Sequence, residues 1–188
     1  MSKGISLESS RLTLRVLDAP DGAKVLDFFL RNKDFLKEWE TAREDSFYTL
    51  DYQAEQLAEE LRRAEEGRLF KVWLFEKADR NFERVIGSIA LNDIVRGCFH
   101  SCFLGYRLDK GVTNRGYMTE GVEQVLFYAF NELKLHRIEA NIMPHNAASL
   151  RVVEKLGFYN EGLATKYLKI NGRWEDHIHK VLRNHALE

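Results

Sequence analysis

A glycine-containing loop between a strand and a long amphipathic helix constrains the fold of this chain more than any other feature. The strand is predicted to end near Leu108, and the helix is predicted to begin near Thr119. A second strand, predicted over residues 137–143, follows the helix. Because a strand–helix–strand crossover joins parallel strands, residues 104–143 predict one right-handed parallel pair. Apolar side chains mark one face of the helix: Val122, Val125, Leu126, Ala129, Phe130 and Leu133.

The rest of the chain predicts an α+β fold with a mixed, mostly antiparallel central sheet and flanking helices. Asn171-Gly172 is a strong hairpin signal between the last two predicted strands. Residues 32–50 lack clear periodicity and are predicted to be irregular. The length fits a single domain over residues 1–188. The other predicted strands are residues 12–16, 69–75, 85–91, 99–108, 163–170 and 174–182, and further helices are predicted after Pro20, over 51–66 and around 150–156.

Charge and hydropathy exclude two classes of partner. The formal net charge is −1, whereas a broad nucleic-acid-binding surface needs a basic excess. No apolar run approaches the roughly 18 residues of a membrane-spanning helix, and residues 1–10 lack the apolar core of a signal peptide. We therefore expect no direct nucleic-acid partner, no membrane partner and a cytoplasmic location.

Cys98, His100 and Cys102 alternate along a predicted strand and raise the question of a zinc site. On an extended strand, next-but-one residues lie roughly 6.5 Å apart along the axis. Three such residues cannot converge on one ion with bonds of about 2.0–2.3 Å. The two cysteines would lie about 13 Å apart, beyond the roughly 7 Å limit for a disulfide. We expect neither a metal site nor a disulfide here.

The loop before the long helix has the composition of an anion site. It contains Gly111 and Gly116 together with the basic residues Lys110 and Arg115. A helix N-terminus adds about four unpaired N–H groups and a partial positive charge, which suit a pyrophosphate. The spacing alone is a weak signal, because many strand-to-helix turns contain a glycine and an arginine and bind nothing. The loop lacks the endings of a Walker A motif and of a dinucleotide fingerprint.

Residues 113–118 resemble the Q/R-x-x-G-x-G/A signature of the GNAT superfamily of acetyltransferases, and residues 146–149 and 154–158 resemble its downstream motifs. Two positions depart from the signature: Thr113 replaces glutamine or arginine, and Met118 replaces a small residue. Within the superfamily the chain resembles the RimJ/RimL subfamily, and RimJ-type ribosomal-protein-alanine N-acetyltransferases most of all. That likeness rests on residues 10–15, 35–40, 95–100, 136–141 and 174–177.

The resemblance implies a GNAT fold with a splayed parallel strand pair, acetyl-CoA as cosubstrate and no metal. The cofactor's pantetheine arm would lie between the splayed strands. Leu108 would hold the acetyl end, and Asn146 would contact the cofactor arm. The pyrophosphate would be held at Asn114, Arg115, Gly116, Tyr117, Met118 and Thr119, mainly by their backbone amides.

The resemblance also implies direct attack of an amine on the thioester, without an acyl-enzyme. Val153 occupies the position of the family's usual tyrosine proton donor, which leaves Ser149 as the candidate donor. A helix-capping role for Ser149, near Asn146, is the alternative. Asn141 stands where relatives carry an acidic residue and would hold a water. Deprotonation at pH 7 costs about 1.4 kcal/mol for an α-amine and about 4.6 for a lysine, so a site without a strong base favours protein N-termini.

Acceptor binding is expected in the aromatic region before the second helix. The candidate wall residues are Trp39, Phe47 and Tyr48. The candidate acid–base or ammonium-binding groups are Glu40, His100 and Glu161. Packing or surface roles are the alternative for each of them. Residues 51–66 carry a net charge of −4, which either attracts a basic ribosomal protein tail or forms a solvated face.

Three functions remain open from the sequence. The first is acetylation of a protein N-terminus, with a ribosomal protein as partner. The second is acetylation of a small amine, meaning a polyamine, an amino acid or an antibiotic. A deep, closed acidic pocket would favour the second, and an open groove would favour the first. The third is a non-catalytic binding module. Relatives are commonly homodimers, so the resemblance also implies a homodimer.

Overall fold

Eight strands form one sheet in the part of the chain that the computed structural model describes, residues 4–188. The strands are β1 (Ser6–Glu8), β2 (Leu12–Arg15), β3 (Phe70–Glu76), β4 (Gly87–Val95), β5 (Ser101–Leu108), β6 (Arg137–Ile142), β7 (Tyr159–Ile170) and β8 (Arg173–Arg183). The helices are α1 (Gly22–Leu36), α2 (Leu50–Glu65), α3 (Tyr117–Asn131) and α4 (Ala147–Lys155). The order β1-β2-β3-β4-β5-β6-β8-β7 confirms the predicted α+β class and the mixed sheet.

The sheet contains one parallel pair, β5 and β6, and that pair is short. Only Ser101–Arg137, Cys102–Ile138 and Phe103–Glu139 are opposed in it. Beyond them β5 stays paired with β4 as far as Leu108, and β6 stays paired with β8 as far as Ile142. The two strands therefore part, and residues 104–108 face residues 140–142 across a gap that we call the wedge. This arrangement confirms the predicted splayed pair.

Alternate side chains of the sheet enter two cores. On β3, Phe70, Val72 and Leu74 belong to a cluster that includes Val122 and Val125 of α3. Trp73 and Phe75 point the other way, into a second cluster with apolar residues of α1 and α2. Since successive side chains of a strand alternate between its faces, α3 and α4 cover one face and α1 and α2 cover the other.

Several boundaries differ from the sequence prediction. Helix α1 runs on to Leu36, into the segment predicted to be irregular, and α3 begins at Tyr117 rather than near Thr119. Strand β1 was not predicted; three residues are too few to show an alternating pattern.

The prediction that Cys98 and His100 alternate with Cys102 along one strand is wrong. Strand β5 begins only at Ser101, because Gly97 and His100 have positive φ values of 71° and 44° and turn the chain there. Cys98 is exposed and free, and Cys102 is buried and free. Within residues 4–188, no group of three or more His, Cys, Asp or Glu side chains has an arrangement suited to a metal ion.

In the described chain, no helix combines the length and apolar character needed to cross a bilayer.

Helix α3 lies very close to the sheet at Gly121. A Cβ at that position would lie 2.9 Å from Cδ1 of Ile89 and 3.1 Å from Cδ2 of Leu74. Both atoms are terminal methyl groups of buried side chains, so a larger residue here would have to displace packed core methyls.

We expect Gly121→Val to lower the free energy of unfolding by about 2 kcal/mol, because it overpacks this contact. Glu123→Val places the same side chain on the exposed face of the same helix and is expected to cost about 0.5 kcal/mol through helix propensity alone. Urea denaturation of both variants measures the difference. Equal losses would show that α3 does not approach the sheet this closely.

Candidate active site

The loop between β5 and α3, residues 109–116, leaves the start of α3 open; we call it the anion loop. Asn114 and Gly116 both have positive φ, 61° and 79°. Gly116 is exposed, and no side chain caps the helix. Because the first N–H groups of a helix have no acceptor within it, the amides that follow Gly116 are available to an anion.

Contacts with α1 hold the anion loop in place. The carboxylate of Asp109, which is buried, accepts a hydrogen bond from the N–H of Gly111 at 2.8 Å and forms an ion pair with Arg31. The N–H of Lys110 donates to Oδ1 of Asn32 at 2.9 Å. These anchors leave the far end of the loop exposed while its beginning is fixed.

The predicted phosphate residues are distributed around this turn. Arg115 is exposed and its Nη2 donates to the carbonyl of Gly111 at 3.2 Å. The side chain of Met118 is buried in the core cluster, so its bulk does not lie over the loop. Tyr117 and Thr119 are half-buried. The phenol of Tyr117 donates to Glu76 at 2.8 Å.

A clamp between Arg11 and Glu120 lies against the same helix start, and sequence reasoning missed it. Nε of Arg11 donates to Oε2 of Glu120 at 2.7 Å, and its Nη1 donates to the carbonyl of Arg115 at 3.0 Å. Oε1 of Glu120 also accepts from Ser9, Ser10 and the N–H of Arg11. An uncompensated carboxylate here would repel a phosphate, and the Arg11 guanidinium neutralises it.

These contacts shift the titration of Glu120. Partial burial is the largest single influence and raises the pKa of this carboxyl. The hydrogen bonds that the carboxylate accepts outweigh this effect of burial and lower the pKa to about 2. Their donors are Ser9, Arg11 and Ser10. The only sequence signal was the position of Arg11 in the segment 10–15.

Tyr106 links β5 to α4. Its hydroxyl lies 2.7 Å from Oγ of Ser149 and donates to the carbonyl of Ser149 at 3.0 Å. Burial raises the pKa of Tyr106 to about 12, against the lowering effect of the Ser149 hydrogen bond. Helix α4 is capped by Oδ1 of Asn146, which accepts from the N–H of Ser149 at 3.1 Å. The Ser149 hydroxyl is therefore directed to Tyr106, while Asn146 caps the helix.

Asn141 lies on β6 just beyond the last residue paired with β5, opposite His179 of β8. Nδ2 of Asn141 donates to the hydroxyl of Tyr167 at 3.2 Å, and the Tyr167 and His179 rings lie 5.0 Å apart. Oδ1 of Asn141 and Nε2 of His179 are buried and have no hydrogen-bond partner within residues 4–188. Buried polar groups of this kind are normally satisfied by water or by a ligand. Tyr167 and His179 were not identified from the sequence.

The other predicted acceptor residues fall into two places. Trp39 stacks near His145, with ring centroids 5.6 Å apart, and so lies beside the turn that follows β6. Glu40 forms ion pairs with Arg43 and Arg107. Tyr48 packs on Phe47, with centroids 5.1 Å apart. These residues lie on the side of the sheet covered by α1 and α2.

His100 and Glu161 lie at the opposite end of the parallel pair. The carbonyl of His100 accepts from the N–H groups of His136 and Arg137 at 2.7 and 3.1 Å. Arg137 also pairs with Glu161 and lowers its pKa to about 2. Strand β5 extends roughly 23 Å from this end to the anion loop. The structure therefore does not bring these two residues together with the rest of the site.

A cavity of about 250 Å³ lies between α2 and the sheet. Gly105 and Arg107 of β5 line it, so it adjoins the wedge along that strand. Its lining also includes the basic residues Arg43 and Lys71 and the acidic residue Glu60, so the cavity is not a purely acidic pocket. We call it the α2 cavity.

The chain matches known proteins over most of its length. Residues 11–159 match the family model described as the acetyltransferase (GNAT) domain. The chain is similar to the probable N-acetyltransferase YjcK of Bacillus subtilis (strain 168), with 42% identity over 171 residues that cover 91% of this chain and 93% of that protein. It is similar to the ribosomal protein uS5-alanine N-acetyltransferase of Escherichia coli (strain K12), with 34% identity over 176 residues, 93% of this chain and 88% of that protein.

The fold is similar to a solved structure over both chains. The crystal structure of ribosomal-protein-S5-alanine acetyltransferase from Vibrio fischeri superposes with a TM-score of 0.91 at 32% sequence identity. The match covers 98% of this chain and 99% of that one.

The Arg11–Glu120 clamp predicts a specific dependence of stability on pH. The pKa of Glu120 is about 2 in the folded chain, below its ordinary 4.5. Its contribution to the free energy of unfolding is therefore complete above pH 4.5 and is lost as the pH falls through 2. Glu120→Gln should therefore differ most from the wild type at neutral pH and converge with it near pH 2. Urea denaturation across this range tests it, with Glu123→Gln as the control. A constant difference between Glu120→Gln and the wild type would contradict the clamp.

Proposed function

The chain belongs to the acetyltransferase (GNAT) family and is an acetyl-CoA-dependent N-acetyltransferase, and from this premise we propose that its acceptor is the N-terminal α-amine of a ribosomal protein. The observation that carries the proposal is the wedge: its β5 edge leads to the anion loop, and its β6 edge carries Asn141. The similar proteins named for ribosomal protein acetylation support the choice of acceptor. Such an acceptor also suits a cytoplasmic enzyme.

The wedge and the anion loop fit coenzyme A. The exposed, left-handed Gly116 carries no side chain that would cover the amides behind it. We assign the pyrophosphate to the backbone of residues 114–119 and the cofactor arm to the strand edges and Asn146. We assign the acetyl end to Leu108, which is half-buried at the end of β5. Acetyl-CoA supplies an acetyl group activated as a thioester.

Ser149, with Tyr106 beside it, provides the proton that the leaving sulfur takes up. In the proposed reaction the amine nitrogen bonds to the carbonyl carbon, the C–S bond breaks, and the sulfur takes up one proton. The Ser149 hydroxyl supplies this proton, the Tyr106 hydroxyl at 2.7 Å orients it, and solvent returns to Ser149 the proton that the acceptor amine has released. Val153, which is buried in the core, occupies the position of the family's usual tyrosine and has no proton to donate.

Asn141 acts on the acceptor side. Its Oδ1, which lacks a protein partner among residues 4–188, holds the water through which the α-ammonium loses its proton. No carboxylate performs this step in the proposal. An α-amine suits such a site because it costs only about 1.4 kcal/mol to deprotonate at pH 7, against about 4.6 kcal/mol for a lysine. The mixed, basic lining of the α2 cavity also argues against a polyamine acceptor.

Acceptor class is tested by incubation of a proteome-derived peptide library with labelled acetyl-CoA, followed by mass spectrometry. We expect the label on α-amines, and peptides from ribosomal protein N-termini among the best acceptors. Label confined to lysine side chains or to added polyamines would overturn the proposal.

The role of Ser149 is tested by Ser149→Ala. We expect kcat to fall about 100-fold, because a positioned proton donor contributes at least this factor, while the KM for acetyl-CoA stays within about twofold. Tyr106→Phe, which leaves Ser149 in place, should lower kcat by about 10-fold. Ser6→Ala, an exposed site on β1, is the control. An unchanged kcat in Ser149→Ala would remove this residue from the mechanism.

A further inference from the structure

The α2 cavity has an excess of positive charge. Two of its cations are paired individually: Nζ of Lys71 lies 2.6 Å from Glu60, and Nη2 of Arg63 lies 3.3 Å from Asp93. The charged side chains of the lining are Arg43, Arg63, Lys71, Arg107 and Glu60. The excess is therefore concentrated on the remaining two, Arg43 and Arg107.

Arg43 and Arg107 share a single carboxylate. Nη2 of Arg43 lies 2.7 Å from Oε2 of Glu40, and Nε of Arg107 lies 2.9 Å from Oε1. The Nε–H of Arg107 is buried and is not aligned with that oxygen as a hydrogen bond requires. Two guanidinium groups and one carboxylate leave one positive charge and unused donors beside the cavity.

Aromatic rings hold both guanidinium groups in place. The Arg43 guanidinium lies 4.0 Å from the centroid of Phe47, and that of Arg107 lies 5.4 Å from the centroid of Phe29. Both phenylalanines are buried. A guanidinium fixed on an aromatic face loses little freedom when it binds a carboxylate, and its planar fork matches the two oxygens.

The position of the cavity connects it with the reacting end of the wedge. Gly105, Tyr106 and Arg107 line the cavity, and the hydroxyl of Tyr106 also contacts Ser149 of α4. An acceptor with its amine in the wedge beside β5 would place its neighbouring groups in the cavity. The volume of about 250 Å³ equals roughly eight waters, enough for one acidic side chain.

We propose that the acceptor is a peptide with an Asp or Glu side chain within its first few residues, and that Arg43 and Arg107 bind this carboxylate. The inference rests on the proposed function and names the acceptor's sequence preference. A carboxylate would neutralise the shared excess charge, whereas a glutamine could not. A lysine at the same place would be repelled.

The test compares peptides that begin Ala-Glu, Ala-Gln and Ala-Lys and are otherwise identical, together with a set carrying the Glu at position 3 or 4. For the preferred position we expect kcat/KM for the Glu peptide to exceed that for the Gln peptide by about 10-fold, as a charge-assisted contact gives. Arg107→Met should reduce this ratio to within about twofold. Arg80→Met removes an exposed arginine outside the cavity and should keep it.

Two additions keep the result decisive. If Arg107→Met does not fold, Arg107→Lys keeps the charge without the planar fork and should give an intermediate ratio. Calorimetric titration with the N-acetylated product peptides measures recognition without turnover, and the Glu product should bind about 10-fold more tightly than the Gln product.

The outcomes separate the two claims. A Glu-to-Gln ratio near one at every position, with α-amines still acetylated, would overturn the acidic preference and leave the proposed function intact. Preferential acetylation of free glutamate over all peptides would place the carboxylate on a small molecule and overturn the peptide assignment. Absence of α-amine acetylation on any peptide would overturn the proposed function itself, while the titration would still measure the carboxylate preference.

Discussion

The parting of β5 and β6 after three opposed residue pairs is the feature on which the site depends. Each strand remains bonded to its outer neighbour, so the divergence exposes main-chain N–H and C=O groups on the two inner edges. Such groups are costly to bury without partners. The wedge therefore suits an extended ligand that carries amides of its own, as the pantetheine arm of coenzyme A does.

Charge compensation makes the end of the wedge suitable for a phosphate group. Helix α3 presents its first amides at the anion loop but also carries Glu120 in its first turn. Arg11, the residue just before β2, neutralises that carboxylate and holds the loop carbonyl of Arg115. Asp109 is compensated in the same way by Arg31. In both cases the partner comes from a distant part of the chain, so the loop is positioned by the fold rather than by its own sequence.

Much of the architecture was predictable because its signals are local. The helical periodicity after Gly116 located α3 to within two residues, and Asn171-Gly172 marked the β7–β8 hairpin. The left-handed backbone at His100 was not predictable from periodicity, so the predicted strand began at residue 99, two residues before β5 does.

The side-chain contacts of the site were harder to predict because they join residues far apart in sequence. Arg11 and Glu120 are separated by 109 residues, and Tyr106 and Ser149 by 43. Neither pairing leaves a periodic pattern. Similarly, Asn141 was a candidate from its motif, whereas its proximity to Tyr167 and His179 becomes evident only when β6, β7 and β8 are brought together.

Backbone hydrogen exchange with and without acetyl-CoA tests the central claim most directly, because the claim concerns main-chain groups. We predict that the ligand slows exchange in residues 104–108 and 117–119, while β2 and β3 on the far side of the sheet remain unchanged. Protection confined to other segments, or no protection at a saturating ligand concentration, would contradict the account.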